Sequence, residues 1–308
     1  MRLAIDFGGT NIKLGLIDTN ANFMDEANLV LAELPSPVGF IDALFDHLDQ
    51  FLAGRHPKAI GLATKGGVDL ELAEVTSDIG AGHYLVRDDL RKKFEAHFKA
   101  PFILDNDARA YALGEYQFGA GKGAKNLVCM TLGTGVGCSL LQEGVAYQSS
   151  DPLGGLLGGH LSIDRHGKAC TCGSRGCLER YISATALHEI ISLDYPEFYS
   201  MGQDPINTFF SKASADGDGP LGEELSNFQD NFALGLVNII HAYGPDRIVI
   251  GGGVAQSSKY FLAGVQDRVA EMAWTTPRGK TKIVNSALGY KAALLGMAFH
   301  PLLKTRLS

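Results

Sequence analysis

The opening of the chain alternates apolar and polar positions until a glycine pair interrupts it. Leu3-Ala4-Ile5 and Ile12-Lys13-Leu14-Gly15-Leu16-Ile17 are apolar runs of strand length, with Asp6-Phe7-Gly8-Gly9-Thr10-Asn11 between them. Strand, glycine turn and strand predict a β-hairpin over 2–18. The pattern recurs over 126–142, where Leu132-Gly133-Thr134-Gly135-Val136-Gly137 is the turn. Elsewhere the apolar spacing is helical: Phe40, Leu44, Phe45, Leu48 and Leu52 predict a helix over 37–53. A buried strand, 59–63, runs toward Gly66-Gly67, and a helix near 87–98 precedes a strand over 101–104. Asn106 is a helix cap, with Asp107 in the first turn of a helix reaching about Tyr116. Helices are expected from about 183, and 194–220, rich in Pro, Gly, Asp and Ser, reads as a variable insertion. A long helix over 222–243 leads into a strand at 247–250 and then Gly251-Gly252-Gly253, and a last helix over 291–298 packs back on the first lobe. Alternating strands and helices make the class α/β. The repeated hairpin divides it into two related lobes, 1–118 with about 290–308, and 119–289, each offering a glycine turn to a shared cleft.

Composition narrows the partners. With 308 residues, 45% hydrophobic and 20% charged, the chain is long enough for two cores. A net charge of −7 argues against a nucleic-acid surface, and the longest basic run, Arg91-Lys92-Lys93, reads as a solvated helix face. No apolar stretch approaches membrane-spanning length, so no membrane partner is expected. The charged, glycine-rich hairpin directly behind Met1 leads us to expect no signal peptide and a cytoplasmic setting.

Two clusters carry candidate chemistry. In the first hairpin, glycines let backbone N–H groups approach a polyanion, and Asp6 at the strand end suits a phosphate-bound Mg²⁺. The second is Cys170-Thr171-Cys172-Gly173-Ser174-Arg175-Gly176-Cys177, with His160 ten residues upstream. One imidazole and three thiolates complete a tetrahedral structural zinc set; a disulfide or unrelated free cysteines are the rivals, and His166 is an alternative nitrogen ligand. A structural zinc would pin His160 and Glu179, which flank the loop. Cys129 and Cys138 fall inside strands and read as small buried hydrophobes.

On these motifs the chain resembles the ROK family of sugar kinases, within the actin/hexokinase/Hsp70 superfamily, over essentially its whole length. The most specific element is Cys170-x-Cys172-Gly173-x-x-Gly176-Cys177-x-Glu179 preceded by Gly159-His160. Asp6-Phe7-Gly8-Gly9-Thr10 is similar to the family's first phosphate motif, and Leu132–Gly137 to its second. Asn106-Asp107-Ala108 with Ala112-Leu113-Gly114-Glu115 is similar to the segment bearing the catalytic base, and Gly251-Gly252-Gly253 to the adenosine-side loop. The resemblance implies a two-lobed actin-like ATPase (ribonuclease H-like) fold and ATP-dependent phosphorylation of a hexose or N-acetylhexosamine, usually at O6. Asp107 would be the general base, kept ionised by its helix N-terminus. Gly66, Asn106, His160 and Glu179 would contact the sugar. Asp6, Gly8, Gly9, Thr10, Asn11, Gly133, Thr134, Gly135, Gly252 and Gly253 would hold ATP and Mg²⁺, and His160, Cys170, Cys172 and Cys177 the zinc. Relatives are commonly dimers or tetramers, so a homodimer or homotetramer is expected.

The chain departs from the family pattern at three places. Leu157 stands where the family usually carries a sugar-binding glutamate, a substitution shared by some relatives that phosphorylate N-acetylmannosamine. Lys65 stands where relatives carry a small residue; it is either a surface lysine or a contact to an anionic substrate. Asp78-Ile79-Gly80-Ala81-Gly82-His83 occupies the place of an Asn-x-x-Gly-Trp segment. Two other readings compete with the kinase: a non-catalytic sugar sensor, since the family includes repressors, and a degenerate enzyme. The repressors carry a helix-turn-helix before the first hairpin, which here begins at residue 2, and they often lose phosphate-motif residues that this chain keeps. Without the resemblance, Asp107 would read as a helix-capping carboxylate.

Overall fold

The computed structural model describes residues 1–35, 38–77, 84–86, 89–151 and 158–307. Leu157 and the segment 78–83 lie outside the described residues. The chain divides into two compact units, one of 1–122, 146–154 and 290–308, the other of 123–145 and 155–289.

The first unit begins with strands β1 (Arg2–Phe7), β2 (Asn11–Ile17) and β3 (Phe23–Val30), followed by helix α1 (Phe40–Leu52) and strand β4 (Ile60–Thr64). A small two-stranded piece, β5 (Val68–Asp69) with β6 (Glu74–Val75), precedes α2 (Leu90–Phe98), β7 (Phe102–Asn106) and α3 (Asp107–Phe118). The sheet order is β3-β2-β1-β4-β7; β1–β2 and β2–β3 are antiparallel, β1–β4 and β4–β7 parallel. All five residues of β4 are buried, as expected of a parallel strand covered on both faces. β3 is a largely exposed edge strand, and its start, Phe23-Met24-Asp25-Glu26, pairs two apolar with two acidic residues and shows no alternation that predicts a strand.

The second unit repeats that plan. Strands β8 (Asn126–Leu132), β9 (Val136–Gln142) and β10 (Val145–Ala146) are followed by a short helix α4 (Glu179–Ile182) and by α5 (Ala184–Asp194), α6 (Pro205–Asp216) and α7 (Pro220–Tyr243). Strand β11 (Arg247–Gly251), helix α8 (Leu262–Met272) and strand β12 (Lys282–Asn285) complete it. The order β10-β9-β8-β11-β12 matches the first sheet position for position, with β11 parallel to both β8 and β12. The stretch 194–220, read from sequence as a variable insertion, holds regular structure. α6 occupies its centre; Phe209 and Phe210 are fully buried and in ring contact, and Phe210 packs with Phe228 and Phe261. Polar and breaker residues sit at the start of this helix: Asp204 caps it by accepting from the Ile206 N–H, and Pro205 occupies its first turn.

Helices α9 (Lys291–Ala298) and α10 (Pro301–Leu307) belong to the first unit. α9 lies backbone-to-backbone on α3: a β-carbon added at Gly114 would strike the Ala292 carbonyl, and one at Gly296 the Ala110 carbonyl. α9 also touches β4, where a β-carbon on Gly61 would come 2.7 Å from the Met297 oxygen. Gly296→Val is therefore expected to cost about 3 kcal/mol, the upper end of overpacking penalties. A denaturant midpoint equal to wild type would contradict this packing.

Candidate functional site

Three neighbouring parallel strands bring the first unit's chemistry to one sheet edge. β4 lies between β1 and β7, in register Phe7↔Thr64 and Thr64↔Asn106. The residues that follow these strand ends are Gly8, Lys65 and Asp107, at the carboxyl ends where open α/β sheets place ligands. In the hairpin, the Gly8 N–H donates to the Asn11 carbonyl at 2.9 Å, and a β-carbon on Gly8 would come 2.9 Å from the same oxygen. Only glycine closes that turn without displacement.

Asp107 opens α3, and Asn106 caps it. The Asn106 Oδ1 accepts from the N–H groups of Ala108 (2.9 Å) and Arg109 (3.3 Å), while its Nδ2 donates to the Gly66 carbonyl at 3.0 Å. Asn106 thus ties the Lys65-Gly66 corner to the start of α3 and keeps one amide hydrogen for a ligand. Burial, then the neighbouring charge of Asp6, pushes the Asp107 carboxyl up to about 6, against the opposing pull of Lys65. Asp6 is also raised, by burial first, although Lys13 Nζ stands 3.4 Å from its Oδ2. Desolvation outweighs the pull of the helix N-terminus, so the carboxyl stands above the usual carboxylate range while remaining ionised at neutral pH. Two largely desolvated carboxylates, both raised, are a donor set that fits a divalent cation, which would relieve both.

Beneath Asp107 sits a buried ion pair that was not foreseen. Asp105 Oδ1 accepts from Arg109 Nε at 2.6 Å, and Asp105 Oδ2 from His300 Nε2 at 3.0 Å. Burial raises the Asp105 carboxyl, but His300 and Arg109 outweigh it and the net shift is downward. The signal was Arg109 four residues after Asp105 on an otherwise apolar helix face. Asp105→Ala leaves the Arg109 charge buried and uncompensated, which is expected to cost about 3–5 kcal/mol. Equilibrium unfolding checks it, and a loss under about 1 kcal/mol would contradict the pairing.

In the second unit, the other hairpin is held from behind. The Gly133 carbonyl accepts from the Ala184 N–H at 2.8 Å, and the Thr134 carbonyl from the Thr185 hydroxyl at 2.7 Å. Glu179 Oε2 accepts from the Val136 N–H at 2.8 Å, and a β-carbon on Gly135 would come 2.5 Å from that oxygen. Glu179, read as a sugar contact, thus has one oxygen committed to the hairpin; Oε1 has no hydrogen-bond partner among the described residues. Gly252 has φ +89°, and a β-carbon there would meet the Leu132 carbonyl, so the Gly251-Gly252-Gly253 loop crosses directly over the hairpin strand.

The cysteine loop folds as a knuckle. Cys170 N–H donates to the Ser174 carbonyl (2.9 Å) and Gly173 N–H to the Cys170 carbonyl (3.0 Å), with Gly173 and Gly176 both left-handed. Nδ1 of His160 lies 3.4 Å from Cys170 Sγ, Cys172 Sγ lies 3.6 Å from Cys177 Sγ, and all four ligand atoms fall within 4.8 Å of one another. A zinc tetrahedron with thiolate bonds has edges of about 3.8 Å, so the set fits one. His166 is outside the cluster; its Nε2 accepts from Arg165 Nε at 2.8 Å. Burial and then the neighbouring thiols push Cys177 up to about 12, a preference that a bound dication reverses. Cys129 and Cys138 are buried inside strands, and burial pushes Cys138 up to about 12. Among the described residues no helix is long and apolar enough to cross a membrane.

Two sheets of one plan, each ending in a glycine turn, define the α/β fold of the actin-like ATPases. The family model described as ROK family matches residues 2–302, and the chain belongs to that family. It is 29% identical to the glucokinase of Halalkalibacterium halodurans over 96% of this chain and 92% of the relative. It is 30% identical to the xylose repressor of Bacillus subtilis over 68% of this chain and 53% of the repressor. The solved ROK glucokinase of Streptomyces griseus, in complex with glucose and AMPPNP, matches with a TM-score of 0.79 at 26% identity, covering 96% of this chain and 97% of that one.

Proposed function

We propose that this chain is an ATP-dependent sugar kinase that phosphorylates a hexose or N-acetylhexosamine, with the 6-hydroxyl as acceptor and Asp107 as general base. The observation that carries the reading is Asp107 itself, raised to about 6 at a capped helix start beside Asp6 and the Gly8-Gly9 turn. A carboxylate with that value is ionised at neutral pH and basic enough to take a proton from an attacking hydroxyl. Asp107 accepts that proton as the sugar oxygen bonds to the γ-phosphorus and the bond to the ADP oxygen breaks. Gly8 closes the turn on the Asn11 carbonyl, and the N–H groups of Gly9 and Thr10, with Asn11 beside them, serve the transferring phosphate; Gly133, Thr134, Gly135, Gly252 and Gly253 hold the rest of the nucleotide. Asp6 would hold Mg²⁺, which supplies charge neutralisation on the phosphates. Gly66, Asn106, His160 and Glu179 orient the sugar. His160, Cys170, Cys172 and Cys177 hold a structural zinc that fixes the His160 ring; such sites leave no open position for chemistry.

The similarity to the xylose repressor motivates a second reading, a sugar sensor without turnover. ADP release from Mg-ATP over a panel of hexoses, N-acetylhexosamines and phosphosugars separates the two. Sugar-dependent release supports the kinase. Sugar binding by calorimetry with no release on any sugar supports the sensor.

Activity is expected to rise with pH through an acid limb near 6 in kcat/KM and then level, because protonated Asp107 cannot accept the hydroxyl proton. A limb at the usual carboxylate value, near 4, would remove Asp107 from the role.

A further inference from the structure

We propose that Lys65 is a phosphate ligand of this site, its ammonium contacting the γ-phosphoryl group of bound nucleotide as that group is transferred. The inference rests on the kinase reading and adds a residue that the glycine-hairpin motifs do not include.

Topology sets the position. Lys65 is the first residue beyond β4, the middle strand of the three that end at Gly8, Lys65 and Asp107. It is thus placed between the phosphate turn and the base, where a phosphoryl group must pass on its way to a hydroxyl held at Asp107. The side chain points at the turn: a β-carbon built on Gly9 would lie 3.6 Å from Lys65 Nζ. The backbone of the corner is fixed, since Asn106 Nδ2 holds the adjacent Gly66 carbonyl at 3.0 Å and Gly66 takes φ +94°. Lys65 is only partly exposed, and among the described residues it makes no ion pair. Its charge is felt by both Asp6 and Asp107.

A lysine ending a buried strand is usually paired or turned to water. Here the ammonium lies beside a glycine turn and within electrostatic reach of two carboxylates, a mixture that an anion arriving with a divalent cation completes. Negative charge building on the equatorial oxygens of the transferred group is what a cation at this point stabilises. The 3.6 Å approach to the Gly9 β-carbon position favours a role at the turn over a purely solvated lysine. The remaining alternative, a phosphosugar as acceptor, calls on the same ammonium–phosphate chemistry from another source, and the test separates them.

The measurement is calorimetry of wild type, Lys65→Met and Lys65→Arg with Mg-AMPPNP and Mg-ADP, followed by steady-state kinetics on the best sugar. Lys65→Met is expected to lose about tenfold in AMPPNP affinity while ADP affinity holds, because only the first ligand carries a γ-phosphate. It should lower kcat about 100-fold with sugar KM within about threefold, and Lys65→Arg should recover part of both. An unchanged AMPPNP-to-ADP ratio in Lys65→Met, with wild type binding both, overturns the assignment and leaves the kinase reading standing. A loss confined to the KM of a phosphosugar overturns it in favour of an anionic acceptor. Wild-type protein that binds neither nucleotide overturns it together with the kinase reading.

Discussion

Asp107→Asn is expected to lower kcat for sugar phosphorylation by about 10³-fold, inside the range lost when a positioned general base is removed. The hydroxyl proton then has no acceptor of comparable basicity, since the Asn106 oxygen is spent on the N–H groups of Ala108 and Arg109. Sugar KM should move far less, because asparagine keeps the shape and one hydrogen-bond acceptor. The variant should also be the more stable protein without ligands. The Asp107 pKa is raised in the folded state to about 6, so its ionisation counts against folding as pH rises from about 4 to 6. Removing that charge should add about 2–3 kcal/mol at neutral pH and flatten this part of the stability profile. An inactive variant with a raised melting temperature meets both expectations. A variant that keeps most of its turnover would remove Asp107 from the role of base.

Cys172→Ser is expected to take metal content from about one zinc per chain to near none, since three ligands do not close a tetrahedral structural site. Cys172 is the exposed member of the set, and the Ser174 amide already favours its thiolate. The loss should unlock the strand-like contacts Ser162↔Cys177 and Ala169↔Arg175 and, with them, the position of His160. Melting should fall by about 5 °C or more, with a weakened sugar KM and an unchanged ADP affinity. Elemental analysis of wild type without zinc would refute the metal assignment. Zinc retained in Cys172→Ser would move the ligand set elsewhere.

Much of this was legible because the informative residues carry strong local constraints. Both hairpins announce themselves by apolar runs around glycine turns, and Asn106 before Asp107 is a cap signal that the hydrogen bonds to Ala108 and Arg109 reproduce. The Cys₃His spacing is short-range, so sequence alone places four ligands together, and the structure separates His160 from His166. What sequence could not give depends on long-range packing. The helix α6 was not legible within 194–220 because polar residues and breakers serve its start, whereas its identity lies in the burial of Phe209 and Phe210, the latter against the distant rings of Phe228 and Phe261. The raised pKa of Asp107 comes from burial and from Asp6, a hundred residues away, which no window along the chain can register. Glu179 at the second hairpin and Lys65 at the first are likewise contacts between segments, and only the fold reveals where those side chains end.

The most direct test is to follow phosphorus. Wild type is incubated with Mg-ATP and each sugar of the panel, and products are read by ³¹P NMR beside the Asp107→Asn variant. The account predicts one sugar converted to its 6-phosphate in equal amount with ADP, and no conversion by the variant. Inorganic phosphate as the sole product, or no phosphoryl transfer to any sugar by folded, zinc-loaded protein, would contradict it.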